Sequence, residues 1–342
     1  MITSLRRILR NLVIAAVMLL WGCSENEPAG PDDQLPPSPV CVRDISARTD
    51  RNIPTSIVAD WGQPRRLGAP VNTDCPQDAI EITRDGDFLF VMYTENLLDS
   101  LSSDQIVADR NGTYRLPRLG PDSMFGAPEY FDLSGGASHT FDGELSFAPD
   151  SPLVYFHSLR PDNLGYQQNP SVDDFLDIYE ADLVNGVPTA VRNLGPNVNS
   201  IYPDGELAIH PDGRSLYFGS LRPGGSGATD IWVSVHDSNG WSGATNLGTT
   251  INSFADDYQP TFTPDGDTMY FASGRNILLG MAIYRSYRTG DSWSAPELVI
   301  RGLAGEPSLT ADGELLYFVH VLSDSLGNYD ADVWYCRRVH SR

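Results

Sequence analysis

The stretch "TPDGDTMYFASGR" at 263–275 decides the fold, because the chain writes it repeatedly. "HPDGRSLYFGSLR" stands at 210–222, "APDSPLVYFHSLR" at 148–160, "TADGELLYFVH" at 310–320 and "TRDGDFLFVMYT" at 83–94. Pro fixes φ and Gly tolerates positive φ, so Pro-Asp-Gly suits a tight hairpin. The aromatic-rich run that follows ("TMYFA", "SLYFG", "LVYFH", "LLYFV", "FLFVM") is apolar without alternation, as in a strand buried on both faces. A short alternating segment precedes each turn: "AIEIT", "ELSFA", "ELAIH", "QPTFT" and "EPSLT".

Working outward, the turn aspartates Asp85, Asp150, Asp212, Asp265 and Asp312 are unevenly spaced, which predicts fixed units joined by variable loops. Third strands are predicted at "QIVA", "DIYEA", "DIWVS", "AIYRS" and "DVWYC", and fourth segments at "TYRLPRL", "PTAVRNL", "WSGATNL" and "WSAPELV". Repeated four-stranded antiparallel units give an all-β class and a β-propeller. The last unit lacks a fourth strand, whereas "WGQPRRLGAPVN" (61–72) copies "WSGATNLGTTIN" (241–252) ahead of the first. Trp61 to Leu67 is therefore predicted as the outer strand of blade five, closing a five-bladed ring. The alternative is an open or six-bladed ring with a degenerate blade drawn from residues 120–140.

These repeats resemble the WD40-like β-propeller family found in the periplasmic propeller of the Tol system and in envelope lipoproteins. The likeness spans roughly residues 60–338 and is strongest in blades three and four. It implies a fold rather than an activity, since propellers host many functions.

Composition limits the partners. The 342 residues contain 45 carboxylates and 23 basic residues, all of them Arg, for a net charge of −22. Such a field disfavours nucleic acid and anionic lipid and favours cations. Without Lys, Schiff-base and P-loop chemistry are excluded. Arg6, Arg7 and Arg10 precede the apolar run "NLVIAAVMLLW", a signal-peptide pattern, and "LWGC" resembles a bacterial lipobox with Cys23 as the lipidated residue. Ser24 rather than Asp follows it, favouring the outer membrane. The expected organisation is a signal peptide at 1–22, a Pro-rich acidic tether and N-terminal extension at 23–56, and a propeller at 57–342. A monomer is expected.

With Cys23 lipidated, Cys41, Cys75 and Cys336 remain, an odd number for an oxidising compartment. Strand direction places Cys75 and Cys336 at opposite faces and favours a Cys41–Cys336 disulfide. A Cys41–Cys75 bridge and three free thiols stay open.

Inner strands line a propeller's channel, so Glu144, Glu206, Gln259 and Glu306 are expected at its mouth, with Ala79 at the fifth position. Such a ring would suit Ca²⁺ or another hard cation, or each acid would accept N–H groups between blades as a repeated structural part. A second column, Asp177, Asp230 and Asp332, is expected to pair with Arg160 and Arg222 in blades two and three. The histidines fall in no metal-ligand spacing. Loops at 95–105, 120–138 and 161–177 are candidates for a recognition rim carrying Phe125, Tyr130, Phe131 and Tyr166. Two function classes follow: a non-catalytic platform for an envelope protein or a glycan, and a glycan-active enzyme using carboxylates at the channel mouth.

Overall fold

The computed structural model describes residues 50–94, 112–120, 124–137, 140–165, 176–323 and 329–340. They form five antiparallel blades, whose inner strands are Gln77–Ile82, Phe141–Phe147, Asp204–Ile209, Asp257–Phe262 and Ala304–Leu309. The aromatic-rich repeats are the second strands: Phe88–Tyr93, Leu153–Leu159, Ser215–Ser220, Thr268–Ser273 and Leu315–Ser323. They are buried almost throughout, as expected for strands packed on both faces. Apolar clusters fill the spaces between consecutive blades, including the one between blades five and one, where Val91, Tyr93, Tyr317 and Tyr335 meet.

Repeated side chains explain why the units look alike. In the hairpin turns the Asp carboxylate caps the turn: Asp265 accepts from Thr263 Oγ1 (2.6 Å) and Asp267 N (3.0 Å), while Gly266 takes φ +74°. The Ser-x-Arg tripeptide ending the second strand is a clasp. Arg160, Arg222 and Arg275 pair with Asp142, Asp204 and Asp257 at the start of their own inner strands, at 2.9, 2.6 and 2.7 Å. Each also donates to a carbonyl of the incoming link, from Leu133, Val198 and Ile251. This corrects the expected pairing with the Asp177 column. Asp177 and Asp230 instead accept from Asn193 and Asn246 of the outer strands (2.7 and 2.9 Å), and Asp332 binds Arg66 (2.6 and 2.8 Å).

Arg66 belongs to the strand that closes the ring. Arg65–Arg66 pairs with the third strand of blade five, Tyr329–Arg337, and Trp61 bridges Arg338, as the copied sequence predicts. Asn72 then clamps Val333 through both its amide oxygen and nitrogen, the role that Asn199 and Asn252 play in blades two and three. The strap extends further back than the sequence indicated. Thr55–Ser56, within the predicted extension, adds to the outer strand of blade four, Glu297–Arg301.

Blade one departs from the sequence assignment. Its third strand is Gly112–Pro117, which the repeat alignment placed fourth, and its outer strand is Glu129–Tyr130. "QIVA" lies outside the described residues. The described residues between 120 and 140 therefore complete blade one rather than supply a sixth blade. Cys336 is a buried free thiol, its pKa pushed up to about 12 by burial, whereas Cys75 is disulfide-bonded. The expected Cys41–Cys336 bridge is thus overturned, and the bonded cysteine is Cys75, which had been left open as an alternative partner of Cys41.

Trp61 is the strap's main anchor: it is 2% exposed, packs against the blade-four and blade-five core and donates to Tyr270 Oη at 3.1 Å. Trp61→Ala should lower the unfolding free energy by about 3–5 kcal/mol, measured by urea denaturation. A change below about 1 kcal/mol would mean that the strap does not close the ring.

Candidate functional site: the axial carboxylates

The channel side chains reach the axis because of an unusual backbone. Ala79, Glu144, Glu206, Gln259 and Glu306 all have positive φ, between 46° and 54°, and the pairing register with the second strand shifts across each of them. This is a β-bulge with its extra residue in the left-handed region, repeated in every blade. A non-glycine residue pays of order 1–2 kcal/mol to sit there, so something must compensate.

Compensation comes across the blade boundaries. Gln259 Oε1 accepts from the backbone N–H of Glu306 in blade five (2.9 Å), and Glu306 Oε2 accepts from Ile80 N in blade one (3.3 Å). One tier along the channel the pattern recurs with hydroxyls. Ser308 Oγ accepts from Ile82 N (2.9 Å) and donates to Glu81 Oε2 (2.7 Å), and Ser146 Oγ accepts from Ile209 N (3.0 Å). Side chains of one inner strand thus satisfy N–H groups of the next, which the curvature of a ring leaves without a strand ladder.

Glu144, Gln259 and Glu306 are buried and Glu206 is half-buried. Burial raises the pKa of Glu144 well above the usual carboxylate range, and the charges of Glu206, Asp78 and Glu81 add to it. Glu306 is raised by burial and then by Asp78, Glu144 and Glu206. Both causes favour the protonated carboxyl group over the carboxylate. Among the described residues, no three His, Cys, Asp or Glu side chains are grouped so as to hold a metal ion. At the face bearing the hairpin turns the channel opens into a cavity of about 50 Å³ lined by Glu81, Arg84, Ser146, Thr261 and Thr310. That admits water rather than a sugar ring.

Beside the axis, each second strand presses a side chain against the residue that precedes the bulge in the next blade. Met92 lies against Gly143 and His157 against Gly205, while Gly219 leaves room for Tyr258. His157 is 3% exposed, stacks on Phe141 and has both ring nitrogens without a hydrogen-bond partner. Burial lowers its pKa to about 3, so it is a neutral packing element.

The proposed aromatic rim is corrected. Phe125 and Phe131 are each 5% exposed: Phe125 meets Tyr317 edge-on between blades five and one, and Phe131 meets Phe90 between blades one and two. Tyr130 lies in the outer strand of blade one, half-buried against Tyr114. The reason is that residues 124–133 are the blade's outer edge rather than a free loop. Tyr166 and Cys23 lie outside the described residues.

By sequence, the chain matches no family model and no curated protein. Solved structures of similar fold include a protein titled as a glycoside hydrolase (TM-score 0.50, 9% identity, 84% of this chain and 94% of that one). An α-L-arabinofuranosidase from Lactobacillus brevis gives 0.48 with 12% identity, covering 81% and 94% of the two chains. A putative TolB from Agrobacterium tumefaciens gives 0.43 with 19% identity, covering 79% and 92%. At these identities the likeness concerns the propeller fold alone.

Glu81 offers a handle on the channel's electrostatics. Burial raises its pKa from 4.5 to about 7, against the hydrogen bond from Ser308. The folded state then binds the proton more tightly than the unfolded state, so stability falls as pH rises from about 4.5 to 7. Glu81→Gln keeps the acceptor for Ser308 without the charge. Melting curves from pH 5 to 8 should show a shallower decline in this variant and a gain of about 1–2 kcal/mol over wild type at pH 8. Parallel curves would show that Glu81 is ionised throughout.

Proposed function

We propose that the chain is a lipid-anchored envelope propeller of the WD40-like repeat kind, held through Cys23 in the outer membrane and serving as a non-catalytic binding platform for a protein or glycan partner. One observation carries the non-catalytic part: Gln259 and Glu306 spend their side-chain oxygens on backbone N–H groups of the following blade. A glycosidase needs two carboxyl groups in contrasting environments, one proton donor and one base or nucleophile. Here Glu144 and Glu306 stand at equivalent repeat positions and are pushed in the same direction by the same burial. Recognition then belongs to the outer surfaces and loops, and the rigid ring presents them.

The anchoring part rests on the Arg-led apolar segment ending in "LWGC" and on the Pro-rich acidic stretch after it. The lipid would supply attachment, and the tether would set the propeller's distance from the bilayer.

Two measurements on the full-length protein test this reading. Expressed in a bacterial host, it should fractionate with membranes and carry an acylated N-terminal peptide, and Cys23→Ser should release it. Assayed against cell-wall and plant glycans it should show no turnover. Turnover that disappears in Glu306→Gln or Glu144→Gln, with melting unchanged, would overturn the platform reading in favour of an enzyme.

A further inference from the structure

One face of the propeller bears the blade-to-blade links and the loops from second to third strands. Around blades three to five it carries apolar side chains that the fold does not use. The loop 274–281 is folded by Asn276, whose Oδ1 accepts from Leu278 N (3.1 Å) and whose carbonyl accepts from Leu279 N (3.0 Å). That turn holds Ile277 and Leu278 outward, 76% and 89% exposed. Phe254, on the link below, is 67% exposed, and Ile53, on the strap, 58%. Packing inside the propeller does not account for these residues, and clustered exposed apolar side chains mark contact surfaces.

The strap shows where the rest of the chain departs. Asp50 Oδ2 accepts from His320 Nε2 at 2.9 Å, both side chains being buried, and Arg51 N donates to Ser323 O at the end of blade five's second strand. Asp50, from which the chain runs back toward Cys23 in sequence, therefore lies on the same face as Leu278, Ile277, Phe254 and Ile53. A flexible linker as long as residues 24–49 would reach about 30 Å, which would keep this face within reach of whatever Cys23 is attached to.

We propose that this face docks onto the surface of the bilayer that holds the N-terminal anchor, with Ile277, Leu278 and Phe254 inserted among the lipids. The inference rests on the lipid-anchor reading above. Overall acidity disfavours anionic lipid, so the surface is zwitterionic. The exposed Arg51 and Arg301, beside Ile53, are placed to meet headgroup phosphates while the apolar tips enter below them. The platform would thus lie flat, with its hairpin-turn face turned away from the membrane.

The test uses full-length protein purified from bacterial membranes and reconstituted into phosphatidylcholine vesicles, with a photoreactive benzophenone side chain placed at position 278, at 254, or at 239 on the hairpin-turn side. Illumination should cross-link lipid at 278 and 254 and not at 239. Ile277→Asp combined with Leu278→Asp should cut lipid capture at 254 by about tenfold or more while vesicle association through Cys23 persists. Vesicle-bound protein that captures no lipid at 278, or captures lipid equally at 239, overturns the proposal. Cross-linking of 278 to a co-purifying protein in its place makes the face a protein-docking site and overturns it as well. Protein that fails to float with vesicles at all contradicts the anchor reading, and this inference with it.

Discussion

Everything in this ring depends on hydrogen bonds that cross between inner strands near the axis. Blades in a propeller diverge outward, so neighbouring inner strands approach one another without forming a ladder, and their N–H groups need acceptors from side chains. A left-handed bulge residue in each blade supplies the geometry. Gln259 and Glu306 reach the next blade's backbone, and Ser146 and Ser308 do so one step further along. Backbone strain and acid crowding are both consequences. Where the bulge residue reaches the next blade, as at Gln259 and Glu306, it is long and polar, whereas Ala79 takes the same backbone without that reach; several long acids around an axis bring carboxyl groups together in a buried space, where burial raises Glu144 and Glu306.

The second constraint is closure. A ring of repeats has ends, and a strap that begins at Asp50 joins them. It lays Thr55–Ser56 on blade four, sinks Trp61 between blades four and five, and lends Arg65–Arg66 to blade five before entering blade one through Asn72 and Cys75. Arg66 replaces the outer-strand Asn of blades two and three as partner of the third-strand Asp. A charged pair thus marks the seam where two distant parts of the chain meet. The same strap fixes the face on which Asp50 lies, which links the architecture to the proposed attachment.

Much of the fold was legible because the repeats are physical necessities: an Asp-capped turn, a second strand buried on both faces, and an Asn that clamps the third strand. The copied "WGQPRRLGAPVN" revealed the closing strand for the same reason. Blade one was misread because "QIVA" satisfies the pattern of a third strand as well as "TYRLP" does, and period alone cannot choose between them. That error carried Phe125, Tyr130 and Phe131 onto an imagined rim. The Arg clasp was misassigned because Asp142, Asp204 and Asp257 lie before the repeat's obvious core, and only the folded geometry brings Arg160, Arg222 and Arg275 back to them. The inner-strand alignment put Glu144, Glu206, Gln259 and Glu306 at one repeat position, and all four share the left-handed backbone there. That these side chains accept N–H groups between blades was anticipated, but which N–H each takes was not legible, since Ile80 and Glu306 are 226 residues apart in the chain.

The most direct measurement of the central claim is amide hydrogen exchange at Ile80 and Glu306. If the axial side chains fasten blade to blade, both amides exchange as slowly as those of the second strands, and Glu306→Ala selectively speeds Ile80 without exposing Ile82, which Ser308 holds. Fast exchange at Ile80 in the wild-type protein, or no change on removing the Glu306 carboxyl group, would contradict the account and return the channel acids to the search for a chemical function.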